Sequence, residues 1–171
     1  AGLEPAELER LRDLTTLFLH EKSFTSVQGF ELGDGMRLII AIQACLPLLY
    51  LGLDWYRGWS AVIVYPGEFI PRREEVDDAG VVHIGDEALD GEAWEQGGVI
   101  LSWRAVEASG WCDGYNVVIH ELAHKLDMLN GETDGFPPLH RNMNPGEWSR
   151  IFLAVFADFG RRVDAGEDTL I

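Results

Sequence analysis

The residues with the clearest chemical potential stand together at His120-Glu121-Leu122-Ala123-His124, inside the segment NVVIHELAHKLDMLNG. On an α-helix, positions i and i+4 lie one above the other, so two imidazoles at that spacing can point at a single ion. Glu121 is turned about 100° from His120. That rotation takes it off the shared direction but leaves it within reach of a water on such an ion, where a general base belongs. The HExxH pattern therefore reads as zinc peptidase chemistry, with His120 and His124 as metal ligands and Glu121 as the catalytic base. Three protein ligands and one water are the usual catalytic arrangement. Glu121 would then take the water proton and pass it to the leaving amine.

The neighbours of these residues set their surroundings. Val117, Val118, Ile119, Leu122, Ala123, Leu126, Met128 and Leu129 leave little polar surface, so this helix is expected to be buried on most faces. Buried imidazoles and a buried carboxylate need partners, and a metal supplies them. Asp127 shares the histidine stripe and falls in the last turn, where a carboxylate opposes the helix dipole. It is expected to orient a ligand histidine or to meet a basic side chain or a backbone amide, rather than to bind metal itself. The other histidines read as structural: His20 at the end of the first helix, His83 in a short apolar piece, and His140 in a loop after two prolines. Cys45 sits in an apolar helical pattern and Cys112 in the loop GWCDG. With no CxxC pair, neither a disulfide framework nor a thiolate metal cage is indicated.

The elements that must position this site can be read from periodicity. Pro5 to about Lys22 is a helix with Leu8, Leu11, Leu14, Phe18 and Leu19 on one side. A second helix runs from near Asp34, as N-cap, to about Leu49. WSAVIVYP is a strand closed by Pro66, and GGVILSW is a second strand whose open edge could hold a substrate backbone. The helix with the HExxH residues spans about 115–129 and stops at Asn130-Gly131. A last helix covers roughly 145–163, capped by Asn144 with Pro145 in its first turn. Residues 72–95 carry nine acids and read as loop with one hairpin at most, their charges forming a solvated face. The aromatic group Trp55, Tyr56, Trp59, Tyr65 and Phe69 reads as core filling. The fold class is α+β, with helices outnumbering strands.

The chain of 171 residues fits one domain over 1–171 with a real core. Thirteen basic residues against 29 acidic ones give a formal charge of −16, which repels nucleic acid and anionic lipid. The longest apolar stretch, Leu38 to Leu53, is interrupted by Gln43, Pro47 and Gly52 and is too short to span a bilayer. AGLEPAELERLRDL shows no secretory pattern, so a reducing cytoplasm is the expected compartment.

The string HExxHKLDMLNG, with YPGEF and GGVILSW before it and PPLHRNM after it, resembles the Mlc titration factor A family, the DgsA anti-repressor family of zinc-dependent peptidases. The likeness extends over essentially the whole chain, including FLHEKSF and LGLDWY. It implies a zincin-like domain related to the catalytic domain of anthrax lethal factor, one zinc per complete protein, a cytoplasmic location and aminopeptidase-type activity on peptides. His120 and His124 match the family's zinc ligands and Glu121 its catalytic base. In enterobacterial members the family also implies binding to a sugar-responsive transcriptional repressor. This gives the alternative reading, a non-catalytic regulator that sequesters such a repressor. The family's third ligand is a glutamate on a later helix, and nothing up to Leu170-Ile171 matches that segment. These 171 residues are therefore expected to hold zinc weakly.

Overall fold

The computed structural model describes residues 2–70, 74–76, 82–84, 88–94, 97–111, 114–131, 133–167 and 169, with 74–76 and 82–84 as backbone. Helix α1 (Pro5–Glu21) has proline in its first turn, and Glu7 accepts the Glu4 amide N–H at 2.8 Å. Both suit a helix start, where amides lack partners and the dipole is positive. Leu11, Leu14, Thr15 and Phe18 are buried at the expected three- and four-residue spacing. Helix α2 (Asp34–Cys45) is capped by Gly33, with Asp34 its first residue rather than its cap. Its α-helical geometry ends before the expected Leu49 because Pro47 has no N–H to continue the ladder. Leu46–Leu48 form a 3-10 turn instead.

Strand β1 (Ser23–Ser26) carries almost no sequence signal, being short and polar at every position but Phe24. Pairing with β2 (Ala61–Tyr65) makes it a strand. The acidic stretch contains the antiparallel hairpin of β3 (Glu74–Val76) and β4 (Val82–Ile84). His83 lies on β4, and its side chain falls outside the described residues, as does Cys112. Next come β5 (Gly91–Ala93), β6 (Val99–Ser102), α3 (Trp103–Ala108), α4 (Val117–Asp127) and α5 (Pro145–Asp164). Five α-helices and three 3-10 turns stand against six strands among the described residues, so helical elements outnumber strands, as expected. Each strand is too short to leave a clear alternation in the sequence.

The main sheet has the order β1-β2-β6-β5, with β1, β2 and β6 parallel and β5 antiparallel at the edge. Strand β6 is buried at every position, which explains its unbroken apolar run. It is paired on both sides, so its edge is not open to a substrate; the edge strand next to it is β5. Phe18, Ile40, Leu48, Tyr56, Val64, Val99, Leu101, Val118 and Leu122 form one core between helices and sheet. The Phe18 ring meets Phe24, Tyr56 and Trp59 edge-on at centroid distances of 6.2, 6.3 and 6.2 Å. Tyr65 and Phe69 stack separately, at 4.8 Å. Cys45 is fully buried, and burial pushes its thiol up to about 12, which makes it an unreactive core residue.

Two buried lysines tie loops to this core. Lys22 Nζ donates to the carbonyls of Tyr56 at 2.6 Å and Trp59 at 2.7 Å and lies 4.1 Å from the Trp59 ring centroid. Lys125 Nζ, on α4, donates to the carbonyls of Trp94 at 2.6 Å and Gly97 at 3.1 Å. These two carbonyls lie in the turn joining β5 to β6, so Lys125 fastens that hairpin to the helix. Helix α5 buries none of its side chains and exposes Phe152, Leu153, Val155 and Phe156. No helix among the described residues is long and apolar enough to cross a membrane.

Two substitutions test this packing. Phe18→Ala should lower unfolding free energy by about 3–5 kcal/mol, read by urea titration. Lys125→Met keeps the aliphatic stem but leaves two carbonyls without their charged donor. It should lose about 1.5–3 kcal/mol and speed amide exchange in the β5–β6 hairpin more than in α1.

Candidate metal centre

Helix α4 is fixed at its start by three hydrogen bonds. Asn116 Oδ1 accepts the Ile119 amide N–H at 2.9 Å, the N-cap that Asn side chains favour. The Val117 amide N–H donates to Ser109 Oγ at 3.0 Å, and that hydroxyl donates to the Ala105 carbonyl at 2.7 Å. Ser109 therefore links the end of α3 to the beginning of α4. Val117, Val118 and Leu122 anchor one side of the helix in the core. The opposite side is open: His120 and Ala123 are exposed, and Ile119, His124 and Leu126 only half-buried. Six of its eleven residues are buried and only His120 and Ala123 are exposed, so the helix is buried on most faces, as expected, and open along the line of the imidazoles.

The open side carries the two imidazoles. His120 Nε2 and His124 Nε2 stand 3.2 Å apart, with ring centroids 4.8 Å apart and planes at 88°. Two ligands of one tetrahedral zinc, each at 2.0–2.1 Å, would stand roughly 3.3 Å apart. The pair fits that requirement, and the same spacing serves an N–H···N hydrogen bond when no ion is present. Burial lowers the pKa of His120, and the facing His124 lowers it further. Both effects favour the neutral ring that a metal needs. Among the described residues, no third His, Cys, Asp or Glu completes a group around the pair.

Glu121, about 100° round the helix from His120, is directed into the protein. It is only 6% exposed and packs against β5. Burial pushes its carboxyl up to about 7, the carboxylate of Glu92 pushes in the same direction, and a backbone hydrogen bond from Ala93 opposes them. Glu92 is itself buried, so this acid does not belong to the solvated face expected for residues 72–95. The pleat puts it on the sheet face opposite Gly91, in register with the equally buried Ile100.

Asp127 meets a backbone amide, one of the partners expected for it. Its Oδ2 accepts the Gly135 N–H at 2.8 Å. Asn130 Nδ2 donates to the Phe136 carbonyl at 3.0 Å, and together these bonds hold the loop that leaves the helix. His20 and His140 are exposed and lie outside any metal-binding group. Sequence reasoning missed Gly91, Glu92 and Lys125. The hint was GEAWEQGG ahead of GGVILSW, where closely spaced glycines mark a tight hairpin next to a strand. The hydroxyl of Tyr115 donates to Asp90 Oδ2 at 3.1 Å, joining the approach to α4 with the approach to β5.

The chain is similar to known proteins over nearly its whole length. Mlc titration factor A of Cronobacter sakazakii is 37% identical over 164 residues, which cover 96% of this chain and 62% of that protein. The proteins of the same name from Escherichia fergusonii and Klebsiella pneumoniae are each 40% identical over the same length and coverage. The chain thus spans 62% of the length of these curated relatives. The glucose-regulated metallo-peptidase M90 family matches residues 1–171, and the chain belongs to that family.

Proposed function

We propose that the chain carries the core of a zinc-dependent metallopeptidase with zincin-like architecture and aminopeptidase-type activity. The convergence of His120 Nε2 and His124 Nε2 at 3.2 Å, with a buried carboxylate on the next residue, carries this reading. His120 and His124 would hold the ion. Bound there, zinc supplies Lewis acidity that polarises a scissile carbonyl and acidifies water. Glu121 takes the proton of the attacking water and delivers it to the leaving amine. Its pKa of about 7 suits a group that must both accept and release a proton near neutrality. An extended substrate would lie along β5, the sheet edge against which Glu121 packs, rather than along the interior strand β6. The cytoplasmic location proposed for it suits the free, buried thiol of Cys45.

A second reading rests on the relatives' name. Proteins called Mlc titration factor A suggest that this chain, too, binds a transcriptional repressor. Its charge of −16 would speed encounter with a basic surface on such a partner. In that reading the metal pair is not needed for capture.

Glu121→Gln should reduce peptide hydrolysis by at least about 10²-fold while zinc content stays unchanged. Unaltered hydrolysis would remove Glu121 from the mechanism. Retention of a repressor by His120→Ala, with no hydrolysis of any peptide by the full-length protein, would favour the regulator. Two imidazoles hold zinc more weakly than a three-ligand site. Zinc per chain after dialysis should be low for these 171 residues and about one for a form extended to the relatives' length. Tight stoichiometric zinc on the shorter form would direct attention to Asp127 and His140 as ligands.

A further inference from the structure

Gly91 opens strand β5, a position where glycine weakens a strand and offers no side chain to pack. Its backbone does not require glycine, because it is not among the positive-φ residues. The requirement comes from across the gap to α4. A Cβ on Gly91 would lie 2.6 Å from Glu121 Oε1, 2.7 Å from its Cγ and 2.9 Å from its Cδ. Ordinary contacts between such atoms need about 3.5 Å. Turning the carboxyl group about its last bond moves Oε1 but leaves Cγ and Cδ where they are. The whole side chain would have to swing, and at 6% exposure it has little room to do so. A swing would also pull the carboxylate from the Ala93 backbone hydrogen bond.

We infer that Gly91 is a positioning residue of the site, whose missing side chain reserves the volume in which the carboxyl end of Glu121 is held against β5. The inference deepens the reading of Glu121 as general base and rests on it for its consequence in turnover. Gly97 provides an internal control. It lies in the turn that follows β5, and a Cβ there would meet the Trp94 ring at 2.9 Å instead of Glu121.

The test is a double-mutant cycle in stability, run beside peptidase kinetics. Gly91→Ala should lower the unfolding midpoint in the parent chain and lose most of that effect when Glu121 is replaced by Ala. Gly97→Ala should lower the midpoint equally in both backgrounds. In the hydrolysis assay Gly91→Ala should reduce kcat roughly 10²-fold, the scale of a misplaced catalytic group, with KM and zinc content unchanged. An equal effect of Gly91→Ala in the two backgrounds would overturn the inference. So would an unchanged kcat in an active enzyme. If a form extended to the relatives' length hydrolyses no peptide, the peptidase reading fails by itself, and the stability coupling alone decides the role of Gly91.

Discussion

Lys125 joins helix α4 to the β5–β6 turn through two carbonyl hydrogen bonds, and the geometry of the candidate centre depends on that clamp. The ammonium is buried, so its charge is stabilised by carbonyl dipoles instead of water, and such bonds are stronger than neutral ones. One helical turn before Lys125, Glu121 points at the same edge strand, and the two residues share a face by their i, i+4 spacing. The helix is thus held on one side by Val118 and Leu122 in the core and along a second line by the hairpin. The third side is left to the imidazoles. This division of a single helix among apolar packing, a charged clamp and an open polar face is what lets adjacent residues occupy opposite environments.

That contrast is electrostatic as well as steric. His120 is exposed enough to meet a ligand, yet burial and its neighbour keep it neutral. Glu121 is enclosed with a second carboxylate, Glu92, in an already acidic chain. Like charges in a poorly solvated space favour the protonated form of one of them. A cation nearby would reverse that preference, since opposite charge favours the ionised form. Two converging imidazoles and a buried carboxylate on the next residue are the two features on which the proposed ion rests.

Much of this was legible in the sequence, and the limits have physical causes. The HExxH helix, the core strand β6, α1 and α5 follow from periodicity, caps and proline placement, all of them local signals. Strands β1 and β5 did not show, because three or four residues with mixed polarity become strands only through partners distant in sequence. The imidazole pair could be named from spacing alone. The clamp and the cradle could not: nothing in the one-dimensional string says that Lys125 reaches Trp94 and Gly97, or that Gly91 stands opposite Glu121. Burial on most faces of α4 was legible, but just past its end an apolar residue such as Leu129 specifies that it favours burial and not that a layer exists to cover it, and here it is 43% exposed.

The central claim is that His120 and His124 together form the ion site, with Glu121 beside it as base and not as a ligand. It is tested most directly by titrating zinc into the metal-free chain and into its His120→Ala, His124→Ala and Glu121→Gln variants, with binding followed by calorimetry. The account predicts that either histidine substitution abolishes the zinc-dependent heat at this site, while Glu121→Gln retains it with near-parent affinity. Zinc binding that survives either histidine substitution would contradict the account.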